Sequence, residues 1–224
     1  MDSSRLSRSI EDYLKAVFSL TQGGDTASTT ALAEHLAVQP SSVTGMVKRL
    51  AEMDLLAHVP YRGVHLTEAG AREALRVIRR HRILETYLTE VLGYAWEEVH
   101  DEAERLEHAA SERLIEAMAE ALGDPSHDPH GAPIPTVSGE VERRSLDTLA
   151  DAPVDAEHVI QAVSDREAEE LRAMEARGLL PGVRVRVLSR APDGTLRVEV
   201  GPGQGESRAI SGELARRIYV QEVS

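Results

Sequence analysis

Histidines and glutamates recur at helical spacing in the middle of the chain. His81 and Glu85 stand four residues apart. His100, Glu104 and His108 follow at the same interval, with Glu107 beside the last. Positions i and i+4 stack on one helical face. Two such faces brought together present imidazole and carboxylate groups from two directions, as a five- or six-coordinate divalent ion requires. The chain has no cysteine, so the donors are nitrogen and oxygen. That set suits Mn²⁺ or Fe²⁺ better than a structural zinc site, while Zn²⁺, Ni²⁺ and Co²⁺ would still bind in vitro. A solvated helix face also carries Glu and His, but six candidate ligands in one register argue for a metal centre. His127 and His130, in a Pro- and Gly-rich stretch, read as solvated loop residues.

These residues need long helices to position them. A helical pattern runs from Glu68 to about Leu92, and a second from about Glu97 to Leu122. Leucine-rich helices of this length often pair with a copy of themselves. Residues 123–139 are rich in Pro, Gly, Asp and His and form a loop, with a short helix expected over Glu140–Leu149. From Asp151 the composition changes. A strand at Val159–Val163, a helix at Asp165–Arg177 and alternating strands at Val183–Leu188 and Leu196–Val200 predict a small β-rich barrel. Gly201, Gly203 and Gly205 open no helix and read as a turn rather than a phosphate loop.

The first 76 residues have a different organisation. Ile10, Leu14, Val17 and Phe18 share one face of a first helix, which Gly23-Gly24 ends. Leu32 and Leu36 mark a short second helix, with Thr29 or Thr30 as its N-cap. After a tight turn at Val38-Gln39-Pro40, a third helix begins near Pro40, where proline suits the first helical position. Two extended runs follow, Leu55–Pro60 and Gly63–Thr67. Helix, turn, helix and hairpin together make a winged helix-turn-helix. Val43, Val47 and Leu50 face inward. Gln39, Pro40, Ser41, Ser42, Thr44, Gly45, Lys48 and Arg49 remain for double-stranded DNA, joined by Arg62 in the wing; Lys48, Arg49 and Arg62 suit phosphates.

Composition sets limits. The net charge of -13 excludes a simple basic nucleic-acid coat, so DNA binding needs a local surface or bound cations. No apolar run reaches the roughly 18 residues of a membrane span, and the polar start lacks a signal-peptide core. The expectation is a cytoplasmic protein without a membrane partner. A metalloenzyme would need a catalytic arrangement, yet there is no HExxH motif and no paired nucleophile and base. A winged-helix protein answering to an organic ligand is a second rival; no small organic substrate is expected.

The chain resembles the diphtheria-toxin-repressor family of metal-dependent regulators, including its manganese-sensing branch. The resemblance rests on Ile10-Glu11-Asp12-Tyr13-Leu14, Val38 to Thr44, Arg80-His81-Arg82, Val99 to His108, His130 to Pro135 and Gly178 to Gly182. It implies a mainly α homodimer with a β-rich C-terminal domain. The expected parts are a winged helix-turn-helix over 1–76, a helical metal-binding and dimerisation domain over 77–139, a linker over 140–151 and an SH3-like (FeoA-like) domain over 152–224. It further implies two metal ions per subunit. His81, Glu85 and His100 match one site, completed from the third domain by Gln161, Asp165 or Glu157. Asp12, Glu104, Glu107 and His108 match the other. Iron-responsive members carry methionine and cysteine at the Asp12 and Glu104 positions, so the carboxylates here follow the manganese pattern and suit Mn²⁺. Lys15, however, stands where short manganese regulators have an acidic ligand, and His100 is the iron-branch residue. The expected function is a manganese-responsive repressor of metal-uptake genes, with Fe²⁺ as the alternative.

Overall fold

Helix α1 (Arg8–Thr21) buries Ile10, Leu14 and Val17, the apolar face that its sequence spacing predicts. The computed structural model describes residues 6–21, 26–59, 61–142, 144–201 and 207–223. Gly23, Gly24, Pro60, Gly203 and Gly205, each given a role above, lie outside the described residues. The chain divides into two units: residues 1–80, 107–110 and 135–141, and residues 81–106, 111–134 and 142–224.

In the first unit α1 is followed by α2 (Thr29–His35) and α3 (Pro40–Glu52). The N-cap of α2 is Ser28, not Thr29 or Thr30. Its hydroxyl accepts the Ala31 N–H at 3.1 Å, one residue earlier than the sequence suggested. Ala37, with φ 52°, turns the chain so that α3 starts at Pro40. Leu14, Val17, Leu32, Val43, Val47, Leu50, Leu56 and Val64 form one core. Strands β1 (Leu56–Val59) and β2 (Gly63–Leu66) pair antiparallel as the wing. A Cβ on Gly63 would fall 2.2 Å from the Ala27 carbonyl oxygen. Only glycine lets β2 approach Ala27 this closely, and backbone bonds of 2.9 and 3.0 Å between Ala27 and Val64 seal the contact.

Helix α4 (Glu68–Glu90) carries His81 and Glu85. The next helix is shorter than expected. The run from Glu97 to Leu122 is broken into α5 (Val99–Leu106) and α6 (Glu112–Ala121). The Ser111 side chain caps α6 by accepting from Leu114 N. A serine that captures a helix-start N–H competes with helix continuation, and apolar periodicity did not register it. The helix expected over Glu140–Leu149 is likewise not formed. Its described residues are irregular up to the two-residue strand β3 (Asp147–Thr148), which pairs with the last strand.

The second unit contains a six-stranded sheet in the order β3-β8-β4-β5-β6-β7, with every strand pair antiparallel. Its strands are β4 (Glu157–Val163), β5 (Arg184–Arg190), β6 (Leu196–Val200), β7 (Ser207–Ile210) and β8 (Ile218–Glu222), with α7 (Ala168–Glu175) and α8 (Gly212–Ala215) between them. Ile160, Leu171, Met174, Val185, Val187, Leu196, Val198 and Ile218 make its core. The β4–β8 register shifts between Ile160 and Ala162, a bulge that redirects the end of β4, where Ser164 and Asp165 follow. No helix among the described residues is long and apolar enough to cross a membrane.

Candidate metal centres

In the second unit, His81 and Glu85 on α4, His100 on α5 and Asp165 after β4 offer ligand atoms that all lie within 4.8 Å of one another. Oε1 of Glu85 is 3.0 Å from His81 Nε2 and 3.2 Å from His100 Nδ1. The two ring nitrogens are themselves 3.2 Å apart, and His100 Nδ1 is 3.3 Å from Asp165 Oδ2. One proton cannot satisfy two imidazole nitrogens and two carboxylates converging in this way; a divalent cation can. Burial opposes charge on His100, but hydrogen bonds to Asp165 and Glu85 outweigh it and push its pKa up to about 10. Burial would raise Glu85, yet the neighbouring His81 charge and the two imidazole hydrogen bonds hold its carboxyl well below the usual range.

Of the three candidates from the C-terminal domain, Asp165 is the one at this cluster. Glu157 pairs with Arg184 at 2.9 Å and Arg186 at 3.5 Å. The Gln161 side-chain oxygen accepts from Arg144 at 3.2 Å.

His130 corrects the sequence reading. It is not a solvated loop residue: it is 1% exposed and stacks on Trp96. The Trp96 carbonyl can only accept, so the 2.8 Å contact makes His130 Nε2 the donor and leaves a lone pair on Nδ1. That atom lies 3.9 Å from Glu85 Oε1. Neither His130 Nδ1 nor Glu85 Oε2 has a hydrogen-bond partner among the described residues, although both are buried. Buried orphans of this kind are expensive, and a cation between them would remove the cost. A ring that spends its other N–H on a carbonyl is also the usual bearing of a metal-ligating histidine. The residues present therefore fit a divalent ion.

Asp128 holds the loop in this shape. Its Oδ1 accepts the N–H groups of His130 at 2.9 Å and Ala132 at 3.0 Å, and Arg82 Nε lies 3.4 Å from Oδ2. Burial, with the Glu85 charge nearby, pushes the Asp128 carboxyl up to about 7. His127 is more open: it contacts Ser126 and Arg144.

A second cluster lies in the first unit. His108 Nε2 is 2.9 Å from Asp12 Oδ1 and 3.3 Å from Glu107 Oε1, close approaches that lack hydrogen-bond alignment. His108 Nδ1 pairs with Glu11 Oε2 at 2.6 Å, which orients the ring. Buried Arg80 holds the other Glu11 oxygen at 2.6 Å. Sequence spacing singled out Glu107 and His108, and the family resemblance added Asp12, but both missed the orienting role of Glu11, whose only signal is its place beside Asp12. Glu104 belongs to the second unit, where its carboxylate lies 4.0 Å from His81 Nδ1.

Gln39, the N-cap of α3, and Pro40, Ser41, Ser42, Thr44, Gly45, Lys48 and Arg49 on the helix are all exposed, as is Arg62 in the wing. They form a polar, locally basic surface on one side of the helix-turn-helix.

Comparison with known proteins matches three family models along the chain. They are an iron-dependent repressor N-terminal DNA-binding domain over residues 5–64, an iron-dependent repressor metal-binding and dimerisation domain over 67–136, and a FeoA domain over 148–222. The iron-dependent repressor IdeR of Mycobacterium tuberculosis is 30% identical over 95% of this chain and 96% of its own. The chain belongs to the diphtheria toxin repressor family of metal-dependent transcription repressors. Members of this family regulate transcription and are not enzymes. Solved structures resemble it over nearly its whole length. A manganese-dependent transcriptional repressor in complex with manganese is 35% identical, covers 96% of this chain and 100% of its own, and superimposes with a TM-score of 0.88. ScaR with bound Zn²⁺ is 31% identical, with coverages of 96% and 99% and a TM-score of 0.81. Relatives of this repressor thus include both iron- and manganese-dependent proteins, and its donors are the evidence for choosing between them.

Proposed function

We propose that this repressor answers to manganese, binding two ions per chain and repressing metal-uptake genes from the cytoplasm as a homodimer on operator DNA. The donors support Mn²⁺. Asp12, Glu107 and His108 in one cluster, and His81, Glu85, His100 and Asp165 in the other, supply only oxygen and nitrogen. Such hard donors favour Mn²⁺ over softer metals, with Fe²⁺ the nearest competitor.

The observation that carries the reading is the placement of His108. Its Nε2 lies 2.9 Å from Asp12 on α1, so a residue distant in sequence meets the first helix of the DNA-binding fold. A divalent ion there would add positive charge shared by Asp12, Glu107 and His108. Asp12 and His108 would then fix α1, and with it the core on which α3 rests. Local neutralisation also offsets the acidity that counted against DNA binding. Large apolar side chains exposed on the second unit (Val91, Leu92, Tyr94, Leu106 and Leu114) support a self-complementary interface.

The test is selection of genomic DNA fragments by the purified protein, under anaerobic conditions, with Mn²⁺, Fe²⁺ or chelator. Enrichment of discrete fragments at lower Mn²⁺ than Fe²⁺ is the expected result. Equal enrichment with chelator would remove the metal from the account, and preference for Fe²⁺ would reverse its assignment.

A further inference from the structure

The carboxylates of the first unit are held by cations of the protein's own, and one of these stands in the way of a metal. Lys15 lies on α1 three residues beyond Asp12 and four beyond Glu11, so the three share a face. Its Nζ is 2.9 Å from Oε1 and 3.0 Å from Oε2 of Glu107. The glutamate side chain is fully buried, while the lysine keeps 20% exposure.

Arg80 and Lys15 play different parts here. Arg80 grips Glu11, which reaches only the far ring nitrogen of His108. That pair leaves the Nε2 side of the ring alone. Lys15 sits on both oxygens of Glu107, and Oε1 of the same carboxylate lies 3.3 Å from His108 Nε2. An ion held by Asp12 and His108 would draw on the group that the ammonium already occupies. Two cations on one buried carboxylate repel each other strongly, because little water screens them. Lysine is a point charge on a flexible stem, and its exposed side gives it a path to solvent.

We propose that Lys15 is a built-in competitor for this cation site: it keeps Glu107 in place in the metal-free protein, must yield that carboxylate for a divalent ion to bind, and so sets the metal concentration at which the cluster fills. This rests on the reading of Asp12, Glu107 and His108 as a metal site. The competition follows from fixed charge and geometry alone.

Calorimetric titration of the full chain with Mn²⁺ tests it, comparing wild type with Lys15→Gln, Lys15→Arg and Asp12→Ala. The Lys15→Gln variant is expected to bind Mn²⁺ more tightly, on the order of tenfold, equivalent to about 1.4 kcal/mol. Its metal-free form is expected to melt at a lower temperature, since Glu107 loses its counter-charge. Lys15→Arg, whose guanidinium grips a carboxylate through two bonds, is expected to need more Mn²⁺ than wild type, and it decides the matter if Lys15→Gln does not fold. A purely structural lysine gives the opposite pattern: Lys15→Gln lowers stability and metal affinity together. That result, or unchanged affinity in both variants, overturns the proposal. If Asp12→Ala leaves the titration unaltered, the cluster holds no ion and both readings fall. If Asp12→Ala removes a binding event that Lys15→Gln leaves unchanged, the competition alone falls.

Discussion

His130 Nδ1 and Glu85 Oε1 lie 3.9 Å apart, each brought there by a different constraint. Glu85 sits on the rigid α4 helix, whereas His130 rides on a loop whose shape depends on Asp128, Gly131 and the Trp96 carbonyl. The orphaned lone pair on His130 is thus aimed, and replacing it has a measurable consequence. His130→Leu fills the volume but removes the donor. It is expected to weaken metal binding at the second-unit cluster by about 10–100-fold, the usual effect of losing an oriented group at a metal site. Unaltered affinity in a Mn²⁺ titration would make His130 a packing residue only.

The loop itself gives a second prediction. Gly131 has φ 86°, and a Cβ there would fall 2.1 Å from the Gln161 carbonyl oxygen. Gly131→Ala therefore combines backbone strain with a clash against main chain. It is expected to cost at least about 1–3 kcal/mol of stability and to lower metal affinity through His130. Thermal melts with and without Mn²⁺ measure both.

Metal binding at the second-unit cluster should expel a proton. His100 carries one up to about pH 10 because its carboxylate hydrogen bonds outweigh its burial, and only the neutral ring can ligate. A pKa raised on folding stabilises the metal-free fold fully below the unfolded value of about 6.5, and that contribution fades as pH rises through about 10. Metal affinity runs the other way: it rises with pH up to that point, about tenfold per unit for each proton released. Calorimetry at pH 8 in buffers of different ionisation enthalpy should report close to one proton per ion from His100. An enthalpy independent of buffer would contradict this.

Asp128 acts on stability with the same sign as His100, in a lower pH window. Burial raises its carboxyl to about 7, so between its unfolded value near 3.9 and about 7 the folded state binds the extra proton. Stability falls as pH rises across that interval. In metal-free protein, Asp128→Asn is expected to flatten this part of the profile while losing stability overall: its amide oxygen can still accept the His130 and Ala132 N–H groups, but its NH2 replaces the oxygen that faces Arg82 Nε at 3.4 Å. Denaturant melts from pH 4 to 8 measure the slope.

On the DNA side, Lys48→Ala and Arg49→Ala are expected to weaken binding across sequences rather than at one base. Each should reduce the slope of log affinity against log salt by about 1. A loss confined to particular operator positions would assign base reading to that side chain instead.

Much of this site was legible because helices write their faces in the sequence. The interval of four from His81 to Glu85 and the facing of Val43, Val47 and Leu50 need only the helical repeat. The break at Ser111 was hidden because apolar periodicity continues across it while a side-chain cap ends the helix. His130 was hidden because its burial depends on a carbonyl 34 residues away in sequence and on a glycine whose neighbour is a strand. Asp165 could be named only as one of three candidates, since the bulge in β4 that precedes it has no sequence period. Lys15 was noted as a departure from the family, but its grip on Glu107 spans 92 residues and no local pattern encodes it.

The central claim is that the Asp12–His108 cluster converts metal occupancy into DNA binding. Fluorescence anisotropy on one selected genomic fragment tests it most directly, with wild type and Asp12→Ala titrated at saturating Mn²⁺ and in chelator. The account predicts tight binding by wild type with Mn²⁺ only, and at least about fivefold weaker binding, the lower end of typical allosteric coupling, for Asp12→Ala under the same conditions. Equal affinity of wild type with Mn²⁺ and in chelator, or full Mn²⁺-dependent affinity in Asp12→Ala, would contradict it.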